Sequence, residues 1–403
     1  MTGDLKNLIE YNALFGEDPP TRLGLLSEHV INVIKWVVPG LLLFYGCNSY
    51  KRFVYGALSA LSIYFFLGLL TIKAMPLAAI TDADRLEYLA RKLLQDNVGY
   101  HRVNLAMMFS GAFWAVFTLR EISTTKNQRL FIYLSCAIIL FALALSGGRT
   151  GYATWAAIGA LFAFFKWRRF LFYGPIVALI IISLVPAARD RFLMGFSEDT
   201  VDERNSALVD EGLINENSNV DLYTITSGRT IAWPFVIDKI KESPIFGYGK
   251  EAMIRTGLSA YLWTSFQEGF PHPHNMYLQW TLDNGIIGII PVLIFYYLAL
   301  KYAFSLFRDT RSPIFVFVGG AALSLILALF IAGFGSQTFY PREGAVAMWC
   351  IIGLMLRVYI LRKKVIDSTD PKDIGNPISA DRLWSPSTQQ ITKQPIVRPN
   401  FYR

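Results

Sequence analysis

Two histidines and several arginines are the side chains in this 403-residue chain whose types and spacing could do chemistry. His272 and His274 stand in Pro271-His272-Pro273-His274-Asn275, just ahead of an apolar run containing Gly285 and Gly288. Prolines end the preceding segment, and a helix is expected to start at about His274. Gly285 lies eleven residues on, close to three turns, so the spacing predicts that both share a helix face. Glycines 285 and 288 would let another helix approach. A histidine in a first helical turn feels the positive end of the dipole, which keeps its ring neutral and able to accept a proton. The same spacing also fits an inert, hydrogen-bonded histidine at a membrane interface. His272 is the weaker of the pair.

Arginine is the other chemical type. Arg149 sits in Ser146-Gly147-Gly148-Arg149-Thr150-Gly151, and Arg229 in Ser227-Gly228-Arg229-Thr230-Ile231-Ala232-Trp233. Arg102 opens an apolar run, Arg189 and Arg191 follow another, and Arg342 follows Pro341. Guanidinium is a planar fork that matches phosphate oxygens two at a time. A group of them at one membrane face suits a lipid-linked diphosphate. Snorkelling to head groups or local salt bridges would account for the same residues.

The elements that must position these groups are helices in a bilayer. The chain is 53% hydrophobic with a mean hydropathy of +0.38, and its 17% charged residues fall below the roughly 25% of soluble domains. Apolar runs near the spanning length of about 20 residues lie at 29–46, 53–75, 102–118, 130–147, 151–166, 170–187, 285–307, 313–334 and 343–361. Short loops holding Lys51-Arg52, Arg120, Lys126 and Arg129, Lys166, Arg168 and Arg169, Arg308 and Arg311, and Arg362-Lys363-Lys364 fall on one side, the cytoplasm by the positive-inside rule. The net charge of +8 reflects these loops and not a nucleic-acid partner. His274, Arg149 and Arg229 then face the extracytoplasmic side, as does the N-terminus.

The expected divisions are a polar segment 1–28, spans over 29–187, a large outer loop 188–272, the His-motif helix and last spans over 273–361, and a disordered cytoplasmic tail 362–403. The outer loop is too long to be structureless. Helices are expected at Arg229–Ile240 and Glu251–Phe266, and an amphipathic surface helix at 81–95. Asp82-Ala83-Asp84 resembles a metal-binding pair but reads better as a helix cap. Gly247-Tyr248-Gly249-Lys250 lacks the spacing of a phosphate-binding loop. Lys35 is either a snorkelling or a cavity-lining charge. Cys47, Cys136 and Cys350 read as small core residues. No metal-ligand spacing is present and no cofactor is expected.

The motifs together resemble the O-antigen ligase and polymerase superfamily. Its signature, H-[NSQ]-x9-G-x-x-[GTV] after a large periplasmic loop, is met by His274-Asn275 and Gly285-Ile286-Ile287-Gly288. The Ser146–Gly151 turn resembles the family's arginine turn. Ser227–Trp233 and Ser243-Pro244-Ile245-Phe246-Gly247-Tyr248-Gly249 resemble its loop signature. The resemblance covers residues 100–361. It implies an all-α polytopic bundle, GT-C-like, with about 9–12 transmembrane helices. It also implies a metal-independent inverting glycosyltransferase of the bacterial inner membrane, working on the periplasmic side. Such an enzyme moves O-antigen from undecaprenyl diphosphate to lipid A–core. His274 would be the general base, and Arg149 and Arg229 would hold the diphosphate, with Arg102 a further candidate. The rivals are a polysaccharide polymerase using the same donor and a non-catalytic polysaccharide or lipid transporter. Helices broken at the membrane midplane would favour the transporter. Histidine and arginines converging at the outer interface would favour the transferase.

Overall fold

The computed structural model describes Asn7 and residues 21–193, 229–266, 270–335, 338–370, 373 and 375–390. Most of the polar segment 1–28, residues 194–228 with Ser227-Gly228, and the tail beyond 390 lie outside the described residues. Among those described there is no strand.

All nine apolar runs fold as helices. They are α1 (Asn32–Gly46, prolonged upstream by a π-turn over Ser27–Ile31), α2 (Tyr50–Ala74), α4 (Arg102–Thr118), α5 (Lys126–Leu145), α6 (Arg149–Phe165), α7 (Phe170–Leu184), α11 (Met276–Arg308), α12 (Pro313–Ala332) and α13 (Val346–Asp367). Among the described residues seven are long and apolar enough to cross a membrane, or eight if a bent pair counts as one span. The expected all-α polytopic bundle is thereby met. α6 has only 17 residues. α7 stops at Leu184 because Pro186 disfavours helix at Val185, and α8 (Pro186–Leu193) leaves at 108°. The chain is a polytopic helical membrane protein.

Packing follows apolar patterning. α12 is apolar all round, and with α4 it forms the buried centre, whereas no residue of α7 is buried. The Lys/Arg-rich loops collect at one end. There Arg120 lies over the Phe117 ring at 3.9 Å, Lys166 donates to the Phe307 carbonyl at 3.3 Å, and Arg362 pairs with Asp309 at 2.7 Å. The tail does not match its expected disorder over 376–390. Ile378, Leu383 and Trp384 are buried, and the Trp384 indole donates to the Cys47 carbonyl at 3.2 Å. Trp384 fills a slot between the end of α1 and the start of α2, against Tyr50 and Phe53, and the Ile378 N–H donates to the Arg311 carbonyl at 2.9 Å.

The other end carries the outer segments. α3 (Ala83–Val98) is the expected amphipathic helix, and Asp82 caps it by accepting the Arg85 N–H at 2.8 Å. α9 (Arg229–Glu242) matches its expected position. The second expected helix is split into Ala252–Arg255 and α10 (Leu258–Phe266) at Gly257, whose φ is +78°.

Candidate active site

Arg149 is the first residue of α6, reached from α5 by a turn in which Gly147 takes φ +64°. A β-carbon on Gly148 would lie 2.4 Å from the Ala106 side chain, so only glycine lets this turn sit against α4. Arg229 opens α9. The two are electrostatic neighbours: burial, then the charge of Arg149, pushes the Arg229 guanidinium down to about 10.

His274 is placed differently from the sequence expectation. The helix cap is Asn275, whose side chain accepts the Tyr277 and Leu278 N–H groups at 3.0 and 3.2 Å. His274 therefore precedes α11 and adopts φ +50°, a left-handed conformation uncommon outside glycine. Its ring lies 4.2 Å from that of His272 and 5.8 Å from that of Phe270. The Trp233 indole of α9 donates to the Pro273 carbonyl at 2.9 Å, which ties the histidine segment to the helix of Arg229. Burial first, then His272, Arg229 and His101, hold His274 well below the ordinary imidazole value. Burial first, then Arg342, Arg229 and His101, do the same for His272. So burial and basic neighbours keep these rings neutral, a cause different from the helix dipole.

Gly285 is not on one continuous face with His274, because α11 is broken there. Gly285 takes φ +62° and ψ −171°, and a β-carbon on it would meet the Ile245 carbonyl oxygen at 2.1 Å. The approaching partner is therefore the irregular 243–249 segment and not another helix. This segment supplies the hydrogen bonds that the break removes. Tyr248 and Gly249 N–H donate to the carbonyls of Leu282 and Asp283 at 3.0 and 2.7 Å. Ile286 and Ile287 N–H donate to those of Pro244 and Ile245 at 2.9 and 3.3 Å. The two motifs read separately from the sequence are one joint.

Arg102 stands apart from this group. It is buried, donates to the Gly147 carbonyl at 3.1 Å and pairs with Glu87 at 2.5 Å. Arg191 pairs with the other Glu87 oxygen. Burial opposes ionisation of Glu87, but Arg102, Arg191 and Arg91 outweigh it and hold the carboxyl below its usual value. Arg102 thus braces the turn that presents Arg149. Arg189 pairs with the adjacent Asp190, and Lys35 lies over the Trp36 ring. Arg342 is close enough to act on His272. The sequence reading missed His101 and Glu87. For His101 the available signal was its place directly before Arg102, at the cap of α4. Among the described residues no group of three or more His, Cys, Asp or Glu could hold a metal ion.

Residues 134–293 match a family model described as O-antigen ligase. A protein of Rickettsia conorii named as a candidate polysaccharide ligase is 27% identical over 193 residues, which are 47% of this chain and 42% of that protein. One of Rickettsia felis so named is 26% identical over the same length, and one of Rickettsia prowazekii 28% over 182 residues. The chain spans about two-fifths of the length of each, at 42%, 43% and 41%. Over the matched region the chain is thus similar to the O-antigen ligases, the superfamily its motifs resemble, and this similarity supports glycosyl transfer of the ligase or polymerase type.

Proposed function

From this similarity we propose that the chain transfers O-antigen glycan from undecaprenyl diphosphate to lipid A–core, in the outer leaflet of a bacterial inner membrane. The observation that carries the reading is the electrostatic character of the site. Among the described residues, the groups that shift Arg229 and His274 are Arg149, His272, Arg229 and His101, all of basic type. Arg149 and Arg229 lie within electrostatic reach of each other, and a bound polyanion would relieve their repulsion. A diphosphate gripped by two guanidinium forks fits that charge.

In the proposed reaction the acceptor hydroxyl oxygen attacks the anomeric carbon from the face opposite the diphosphate. The new carbon–oxygen bond forms as the bond to the diphosphate breaks, so configuration inverts. The bonding pair leaves on the diphosphate oxygen, whose growing charge Arg149 and Arg229 stabilise. His274 takes the hydroxyl proton. Burial is the larger cause of its low basicity, and the Arg229 charge adds to it. The diphosphate offsets the arginine charge, so donor binding raises His274 towards a useful range.

The transporter reading is disfavoured by where α11 breaks. Below Gly285 the helix still runs to Arg308, and at 1.5 Å per residue that is about 34 Å, a full hydrocarbon crossing. The break thus sits at the membrane boundary, and its freed groups are paired by the 243–249 segment.

The test is transfer by purified protein in lipid nanodiscs, with lipid A–core and free glycan offered as acceptors side by side. His274→Ala should fold, bind donor and fail to transfer; full activity would refute the base. Arg149→Lys should also fail, because a point charge does not replace the fork. Extension of free glycan without transfer to lipid A–core would identify a polymerase.

A further inference from the structure

Asp283 is the one carboxylate between His274 and Gly285, and it is 2% exposed. A buried carboxylate in a membrane helix needs partners, and those of Asp283 come from two other parts of the chain. Its Oδ1 accepts the Ala252 N–H at 3.1 Å, and its Oδ2 accepts the Tyr340 hydroxyl at 3.0 Å. Its carbonyl accepts the Gly249 N–H at 2.7 Å. Ala252 opens the Ala252–Arg255 helix, whose own cap position, Glu251, is left-handed at φ +65° and offers no side-chain bond. The carboxylate of α11 caps that helix in its place. Tyr340 lies in the turn that leads to Arg342, and its hydroxyl also accepts from Asn284 at 2.9 Å. Trp280 packs against the same ring at 4.4 Å.

We propose that Asp283 is a positioning residue for glycan transfer: its carboxylate pins the outer segment that begins at Arg229, and the turn that carries Arg342, to the helix that follows His274. This rests on the transferase reading above. The four backbone bonds at the break set the register of the 243–249 segment against α11. Ala252 and Tyr340 add contacts from outside that segment, on two further parts of the chain. The diphosphate grip comes from Arg229 and the proton acceptor from His274, so their relative placement depends on this joint. A carboxylate suits the position because both of its oxygens accept, from donors on different segments. An asparagine would keep the Ala252 bond through Oδ1 but could not accept from Tyr340.

The test uses the full chain in lipid nanodiscs and two readouts, amide hydrogen exchange and transfer kinetics. In Asp283→Ala, exchange at Tyr248, Gly249 and Ala252 should quicken while α4 and α12 stay protected. Its kcat should fall on the order of 100-fold, the scale of an ångström-sized misplacement. Asp283→Asn and Tyr340→Phe, which both remove the bond from Tyr340 to Asp283, should each lose no more than about 10-fold. Asp283→Ala combined with Arg229→Ala should lose less than the product of the two single losses, since part of the effect of Asp283 runs through Arg229. Unchanged protection in Asp283→Ala, a loosened joint with wild-type kcat, or additive losses in the double variant would each overturn the proposal. If the wild type transfers glycan to no acceptor, the transferase reading falls. The exchange arm then decides alone, and full protection in both Asp283→Ala and Asp283→Asn removes the pin.

Discussion

Gly285→Ala should undock the outer segment from α11 and leave the membrane bundle folded. Gly285 occupies φ +62°, ψ −171°, a region open essentially to glycine, and forcing alanine into it costs about 1–3 kcal/mol. The added methyl would also lie 2.1 Å from the Ile245 carbonyl oxygen, whereas ordinary contact begins at 3.4 Å. That neighbour is backbone, so the whole 243–249 segment must retreat by more than an ångström. The bonds from Ile286 and Ile287 to Pro244 and Ile245 are the nearest to be lost. At about 0.5–1.5 kcal/mol each, they bring the total to about 2–6 kcal/mol. Even the lower end multiplies the undocked population about 30-fold. Limited proteolysis within 243–252 reads this directly, with transfer measured on the same preparation. Gly174→Ala, at a helical site in α7 with no atom within 4 Å of the new methyl, is the control and should leave both unchanged. A Gly285→Ala protein as resistant to protease and as active as the wild type would refute the joint.

The pH dependence has a defined sign. His272 falls from 6.5 to about 4, through burial first and then the charges of Arg342, Arg229 and His101. Stability should therefore be constant above 6.5 and decline as pH falls from 6.5 towards 4, because the unfolded chain takes up the proton first. In kinetics, the acid limb of kcat/KM, which reports free enzyme, should lie below 6.5 and below that of kcat; an acid limb of kcat/KM at or above 6.5 would contradict a depressed His274. Glu87→Gln leaves Arg102 and Arg191 without their shared counter-charge and should cost about 3 kcal/mol. Thermal melting should show it clearly less stable than Arg91→Ala, whose side chain is 67% exposed. Trp384→Ala empties the slot lined by Tyr50 and Phe53 at a cost of about 3–5 kcal/mol. It should make residues 376–390 protease-sensitive while transfer continues, and a tail that stays resistant would mean that the tryptophan does not hold it.

What the sequence made legible was local. The apolar runs became helices because burying or lipid-facing their side chains requires it. Asp82 caps α3 because a carboxylate before an amphipathic run has a free N–H three residues on. The charge pattern sorted Arg120, Lys166 and Arg362 to one end of the bundle and Arg149, Arg229 and His274 to the other. What stayed hidden depends on pairs far apart in the chain. Glu87 reads as one more acid on a surface helix until Arg102 and Arg191 arrive beside it from two other elements. Leu383 and Trp384 read as strays in a polar tail until the end of α1 and the start of α2 form a slot.

The break at Gly285 is the instructive case. Met276 to Arg308 has the hydropathy of an uninterrupted span, and one glycine in such a run ordinarily eases helix packing. Only a second segment able to pair with the exposed carbonyls and N–H groups makes a break affordable in a membrane protein. That segment is Ser243–Gly249, and it follows directly on the helix that begins at Arg229. The spacing from His274 to Gly285 therefore measures something other than a shared face. It sets how far His274 stands from the joint at which the Arg229 helix is anchored, as the length of α9 does for Arg229. The joint matters to the proposed chemistry because it fixes the Arg229 helix against the helix that follows His274 before any anion arrives.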